Sequence, residues 1–139
     1  MSDKYFFDTN ILVYANDSGE RAKQKTAREL IKNSLNKQNG VISIQVLSEF
    51  WVTVTRKIRK QLSADIAEKE IELFRLMEIV IMDYQVFKDA LRFQRIMQIS
   101  YWDSLILAAS NISGCKFIYT EDLNHGQKVS GMEICNPFL

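Results

Sequence analysis

Three aspartates stand where an α/β chain does chemistry. Asp8 follows the short aromatic run YFF directly. Asp122 follows the run KFIY after two intervening residues, Thr120 and Glu121. Asp103 opens a strongly apolar stretch, LILAA, that feeds into that run. Each has an ordinary alternative. Asp8 can simply cap a helix that begins near Asn10. Ser100 and Asp103 have capping-box spacing, and an acid in a first helical turn is favoured by the helix dipole. Asp122 and Asn124 can form a turn pair. A fourth acid, Glu49, lies nearly opposite the stripe Leu47, Phe50, Trp51 and Val54 on a helical wheel. Periodicity alone makes it a solvated residue, although its neighbours Val46 and Val52 are apolar.

The chemistry follows if such acids meet. Two carboxylates about 4 Å apart repel by about 4 kcal/mol at an effective dielectric near 20. Either some of them hold protons, with a raised pKa, or a divalent cation enters. Oxygen ligands favour Mg²⁺ or Mn²⁺ over Zn²⁺. One histidine, His125, excludes a multi-histidine site. Cys115 and Cys135 lack metal-ligand spacing and read as buried thiols of a reducing compartment. A bound Mg²⁺ keeps waters, of which one can be activated for attack on a phosphodiester. No Walker A loop, GxSxG elbow or HExxH helix offers a rival centre.

The elements that must position these acids alternate in type. Tyr5–Phe7 reads as a strand and residues 10–16 as a short helix. Residues 21–36 carry Ala27, Leu30, Ile31 and Leu35 at helical spacing. Gly40 breaks the chain before a strand at 41–44, and a helix follows at 45–59. Ser63 is a natural N-cap for a helix reaching Met77. A third strand is expected at 79–82, helices at 85–98 and 102–112, a fourth strand at 116–119, and a short edge strand at Met132–Cys135. This alternation implies an α/β, three-layer sandwich: a central, mostly parallel sheet of four or five strands flanked by helices. In such sheets, ligands bind at the carboxyl ends of the strands, where the strand order reverses. The whole chain, residues 1–139, reads as one domain.

The 139 residues are 47% hydrophobic and 25% charged, with a net charge of +1. No apolar run is long enough to span a bilayer and no secretory signal is evident, so a cytoplasmic protein is expected. Positive charge gathers at Arg21, Lys23, Lys25, Arg28 and Lys32, and again at Arg56, Lys57, Arg59 and Lys60. Either group suits phosphates, and either is equally a solvated helix face.

Taken together, FDTNILVYA at 7–15, SEFWVTVTRK at 48–57, YWDSLILAAS at 101–110 and YTEDLNHGQ at 119–127 resemble the four acidic motifs of PIN-domain proteins, in order and spacing, across nearly the whole chain. NPF at 136–138 resembles the ending of the VapC-type toxins of bacterial toxin–antitoxin pairs. The resemblance brings Glu49 into the site. It implies Asp8 and Asp103 as principal metal ligands, Glu49 and Asp122 completing an acidic pocket, and Thr9, Asn10 and Thr120 supporting it by hydrogen bonds. It implies an endoribonuclease using Mg²⁺ or Mn²⁺, a homodimer, an RNA substrate and a small antitoxin that fills the groove.

Tyr101 and Trp102 can stack on a base, though the core is their expected place, and His125 has no identified partner. Two competing functions stand beside the nuclease. One is an RNA-binding or regulatory module without catalysis. The other is a phosphatase with an aspartate nucleophile, which needs a second Asp two residues after Asp8, where this chain has Asn10.

Overall fold

The aromatic run Tyr5–Phe7 forms β1, and its place in the sheet organises everything else. The computed structural model describes residues 3–139. After β1 come α1 (Thr9–Tyr14), α2 (Arg21–Lys37), β2 (Gly40–Ser43), α3 (Ile44–Arg56), α4 (Ala64–Phe74), β3 (Glu78–Val80), α5 (Tyr84–Met97), α6 (Tyr101–Ile112), β4 (Phe117–Tyr119), β5 (Lys128–Val129) and β6 (Met132–Cys135). The strand order is β3-β2-β1-β4-β6-β5. β1 pairs in parallel with both β2 and β4, with Phe7 opposite Tyr119. The chain builds β2 and β3 on one side of β1, then returns to lay β4 on the other. The order therefore reverses between β1 and β4, and the crevice beyond their carboxyl ends is the expected binding position.

The sheet is mostly parallel, as expected, and has six strands where four or five were expected. The extra strand is β5, two residues long and antiparallel to β6. Ser130 and Gly131 both have positive φ, 51° and 83°, which suits the tight hairpin between them. β5 takes the edge, so β6 is an inner strand, contrary to expectation.

Helix ends are set by caps. The Ser43 hydroxyl accepts from Val46 N, so β2 passes into α3 without a loop. α3 stops at Arg56, short of the expected end at Arg59, because Ile58 N turns back to Thr53 O and Leu62 N to Val54 O. Ser63 caps α4 as expected, but that helix ends at Phe74, freeing Glu78 to pair with Val41 of β2. Phe6, Phe7, Ile42, Ile118 and Ile134 form the centre of the core, fully buried. Phe50 and Phe74 meet edge to face between α3 and α4. α6 is buried along Ser104–Ser110, and its two serines return their hydroxyls to Ser100 O and Ile106 O. This apolar helix is the rigid element that carries Asp103.

Candidate active site

Asp8 is the first residue beyond β1 and the N-cap of α1. Its Oδ1 accepts from Thr9 N at 2.7 Å, and its Oδ2 accepts from the Thr120 hydroxyl at 2.7 Å. Its side chain is shut off from water, with 5% of the residue exposed. Burial pushes its carboxyl up to about 7. The two hydrogen bonds work against that rise, and the nearby charges of Asp122 and Glu49 add to it.

The other three acids come from separate elements. Glu49 projects from α3, where its carboxylate accepts from the Thr9 hydroxyl at 2.6 Å. Asp122 lies in the loop after β4. Its Oδ2 accepts from Asn10 Nδ2 at 3.0 Å, and its backbone N–H is held by the Thr120 hydroxyl at 3.1 Å. Asp103 sits in the first turn of α6, its N–H capped by Ser100 Oγ at 3.0 Å. Desolvation raises the Asp103 pKa, helped by the charges of Asp122 and Glu49. Asp8, Glu49, Asp103 and Asp122 all line one cavity of about 720 Å³, together with Thr9, Asn10, Gln45, Trp102 and Lys57. Thr120 stands behind it, wholly buried, tying Asp8 to the Asp122 loop.

None of the four acids forms an ion pair with a described residue. Among the described residues, no three His, Cys, Asp or Glu side chains stand close enough to cage an ion by themselves. The Asn10 Oδ1 and Gln45 Oε1 atoms at this cavity are buried without a hydrogen-bond partner among the described residues. The acidic donors facing this cavity are all oxygens, the ligand type that would suit a hard cation such as Mg²⁺.

The family model of the PIN domain matches residues 5–129. The chain belongs to the PIN-domain family. Solved structures share the fold. The VapC20 toxin of Mycobacterium tuberculosis, described as cleaving the sarcin–ricin loop, is 20% identical at a TM-score of 0.69, over 86% of this chain and 90% of that one. A toxin–antitoxin complex from Klebsiella pneumoniae is 16% identical at 0.69, over 96% and 98%. A DNA-bound VapBC from Salmonella typhimurium is 17% identical at 0.67, over 96% and 97%. No curated protein matches the chain in sequence.

Several residues of this PIN domain sit elsewhere than the sequence suggested. Trp102 is not core: it is 60% exposed and lines the acidic cavity beside Asp103, whereas Tyr101 packs partly against the core. Of the second basic group, Lys57 alone lines the cavity; Arg56, Arg59 and Lys60 are exposed outside it. In the first group, Lys23 is bonded to Glu121 at 3.1 Å and Arg28 to Ala15 O at 2.8 Å. His125 has a partner after all, as its Nδ1 accepts from Asn136 N at 2.9 Å. Both cysteines are free thiols. Cys115 is buried, which pushes it up to about 11, and Cys135 is half-buried. Gln45 is a lining residue that sequence reasoning missed: its Nε2 donates to Trp102 O at 3.2 Å, and nothing in a lone glutamine announces that role.

Proposed function

We propose that this PIN domain is a metal-dependent endoribonuclease, the toxin of a type II toxin–antitoxin pair, which hydrolyses RNA phosphodiesters with an activated water. One observation carries the reading: four of the six carboxylates that line the cavity, Asp8, Glu49, Asp103 and Asp122, come from four elements and have no ion-pair partner among the described residues. A binding module has no need of such repulsion. The fold likeness to VapC-type toxins and to toxin–antitoxin complexes supports the same reading. A phosphatase with Asp8 as nucleophile is disfavoured, because Asn10 stands where that chemistry needs a second Asp.

Asp8 and Asp103 would hold Mg²⁺ or Mn²⁺, with Glu49 and Asp122 completing the shell directly or through water. Bound there, the cation supplies an acidified water and a counter-charge for the scissile phosphate. The chain's own residues do the rest. Thr9 and Thr120 fix Asp8 and Glu49 in orientation. Asn10 holds Asp122. Lys57 brings a positive side chain from the cavity lining to the phosphate backbone.

A small antitoxin is the proposed protein partner, and the cytoplasm the proposed compartment. No helix among the described residues is long and apolar enough to cross a membrane. A homodimer is also proposed, and the exposed Ile44, Tyr84, Phe87 and Trp102 supply an apolar face for it.

The decisive experiment incubates a mixed RNA pool with wild-type protein and with Asp8→Asn, with Mg²⁺ and with a chelator. Cleavage confined to wild-type protein plus metal is the expected result. Equal cleavage by Asp8→Asn, or none by the wild type, would sink the proposal.

A further inference from the structure

The loop that carries Asp122 is held from two sides by contacts outside the acid cluster. Towards α1 and α2, the Glu121 carboxylate accepts from the Tyr14 hydroxyl and from Lys23 Nζ, the latter at 3.1 Å. Lys23 Nζ also reaches Tyr14 Oη at 3.2 Å, and it lies 4.6 Å from the centre of the Tyr14 ring and 5.5 Å from that of Phe138. Phe138 meets Tyr14 edge-on, with centroids 5.1 Å apart. On the other side, Asn136 N donates to His125 Nδ1, and Asn136 Oδ1 accepts from Phe138 N at 3.0 Å. Gly126 N is bonded to Ile134 O at 2.7 Å. These contacts close a ring that runs from Tyr14 through Lys23, Glu121, the loop, His125 and Asn136 to Phe138, and back to Tyr14.

The ring matters because Asp122 is poorly held by its own bonds. The residue is exposed, and its ties are a neutral amide from Asn10 and the Thr120 hydroxyl on its N–H. Glu121 is its chain neighbour, one Cα step of about 3.8 Å away. Fixing the Glu121 side chain therefore fixes the backbone from which Asp122 projects. The Lys23–Glu121 pair is only partly exposed and is roofed by two aromatic rings, so it is screened less than an ordinary surface pair.

We propose that Glu121 is a positioning residue for Asp122, clamped by Lys23 and Tyr14, and that Phe138 closes the clamp from the C-terminal segment. The proposal rests on the reading of Asp122 as a site carboxylate. It places the loop's order, and with it the geometry of the fourth acid, under the control of Tyr14, which lines the cavity, and of Lys23, Glu121 and Phe138, which stand behind it.

The test compares the full chain with Phe138→Ala, Phe138→Tyr and Glu121→Gln. Amide hydrogen exchange is followed at Asp122 and Gly126, with the β1 amides as the internal standard. Phe138→Ala is expected to speed loop exchange about tenfold, the equivalent of one lost aromatic contact. The β1 amides should be unchanged. On RNA, kcat should fall by a similar factor with KM within about twofold, and Phe138→Tyr should restore both. Glu121→Gln keeps a Tyr14 partner but loses the charge, and should fall between. Unchanged loop exchange in Phe138→Ala overturns the proposal, and so does a uniform rise across the chain, which would mean mere destabilisation. If wild-type protein cleaves no RNA, the nuclease reading fails, while the exchange data still decide whether Phe138 orders the loop.

Discussion

The two ends of the sheet use the same residue types in opposite ways. At the amino ends of β1, β3 and β4, acids meet bases: Lys4 pairs with Glu78 at 2.9 Å and Lys116 with Asp3 at 3.7 Å, and Lys4 also donates to Ser113 O. At the carboxyl ends, Asp8, Glu49, Asp103 and Asp122 line a cavity and none has a described cationic partner within ion-pair distance. The charges at the amino end satisfy one another locally and are exposed, so each pair stabilises by at most about 1 kcal/mol. The charges at the carboxyl end are held in place by neutral groups, hydroxyls and amides, which orient an acid without cancelling it. A protein spends stability in this way where it needs a negative field.

The contrast between the ends is broken hardest at Asp8. Replacement by Asn keeps an acceptor for the α1 cap but removes the charge. RNA cleavage should fall by at least about 10²-fold, while circular dichroism stays unchanged. Full activity in purified Asp8→Asn would place the chemistry elsewhere. A smaller effect is expected from Thr120→Val, which strips one hydroxyl from both Asp8 and the Asp122 N–H. A loss of about 10–100-fold in activity or metal affinity is the usual cost of removing such support, and calorimetric titration with Mn²⁺ measures it apart from turnover.

Stability against pH sharpens the contrast further. The folded Asp8 carboxyl titrates at about 7, against an ordinary value of 3.8. A carboxyl raised on folding favours the folded state below its ordinary value, and that advantage is lost as pH rises through the folded one. Metal-free protein should therefore lose stability between about pH 4 and pH 7, by at most about 1.4 kcal/mol for each pH unit crossed. Asp8→Asn should flatten that slope in thermal melts taken across the range. A slope identical in both proteins would contradict the buried acid. The smallest effect belongs to the amino end. Glu78→Gln should cost under about 1 kcal/mol and leave cleavage unchanged, and a large loss of activity there would erase the distinction between the two ends.

The sequence made the alternation of elements plain, because apolar strands and capped helices leave strong local signals. β1, the Ser63 cap and the apolar α6 all stand where pattern placed them. β5 was invisible because two residues carry no period. Asp8, Asp103 and Asp122 were legible as acids at element ends. Glu49 was not, since the buried face of α3 runs through Val46, Phe50 and Val54, and shifts the wheel so that Glu49 falls at its margin. Trp102 misled because a tryptophan beside an apolar run usually joins it, whereas here the helix begins with its first turn facing the cavity. The clamp around Glu121 was beyond reach, as it joins residues nearly a whole chain apart.

Trp102 also makes the protein its own optical probe. The chain has 2 tryptophans, and the other, Trp51, is half-buried against the core. An indole on the wall of the acidic cavity should change its emission when an ion or a nucleotide arrives, without any label, while Trp51 supplies a steady background.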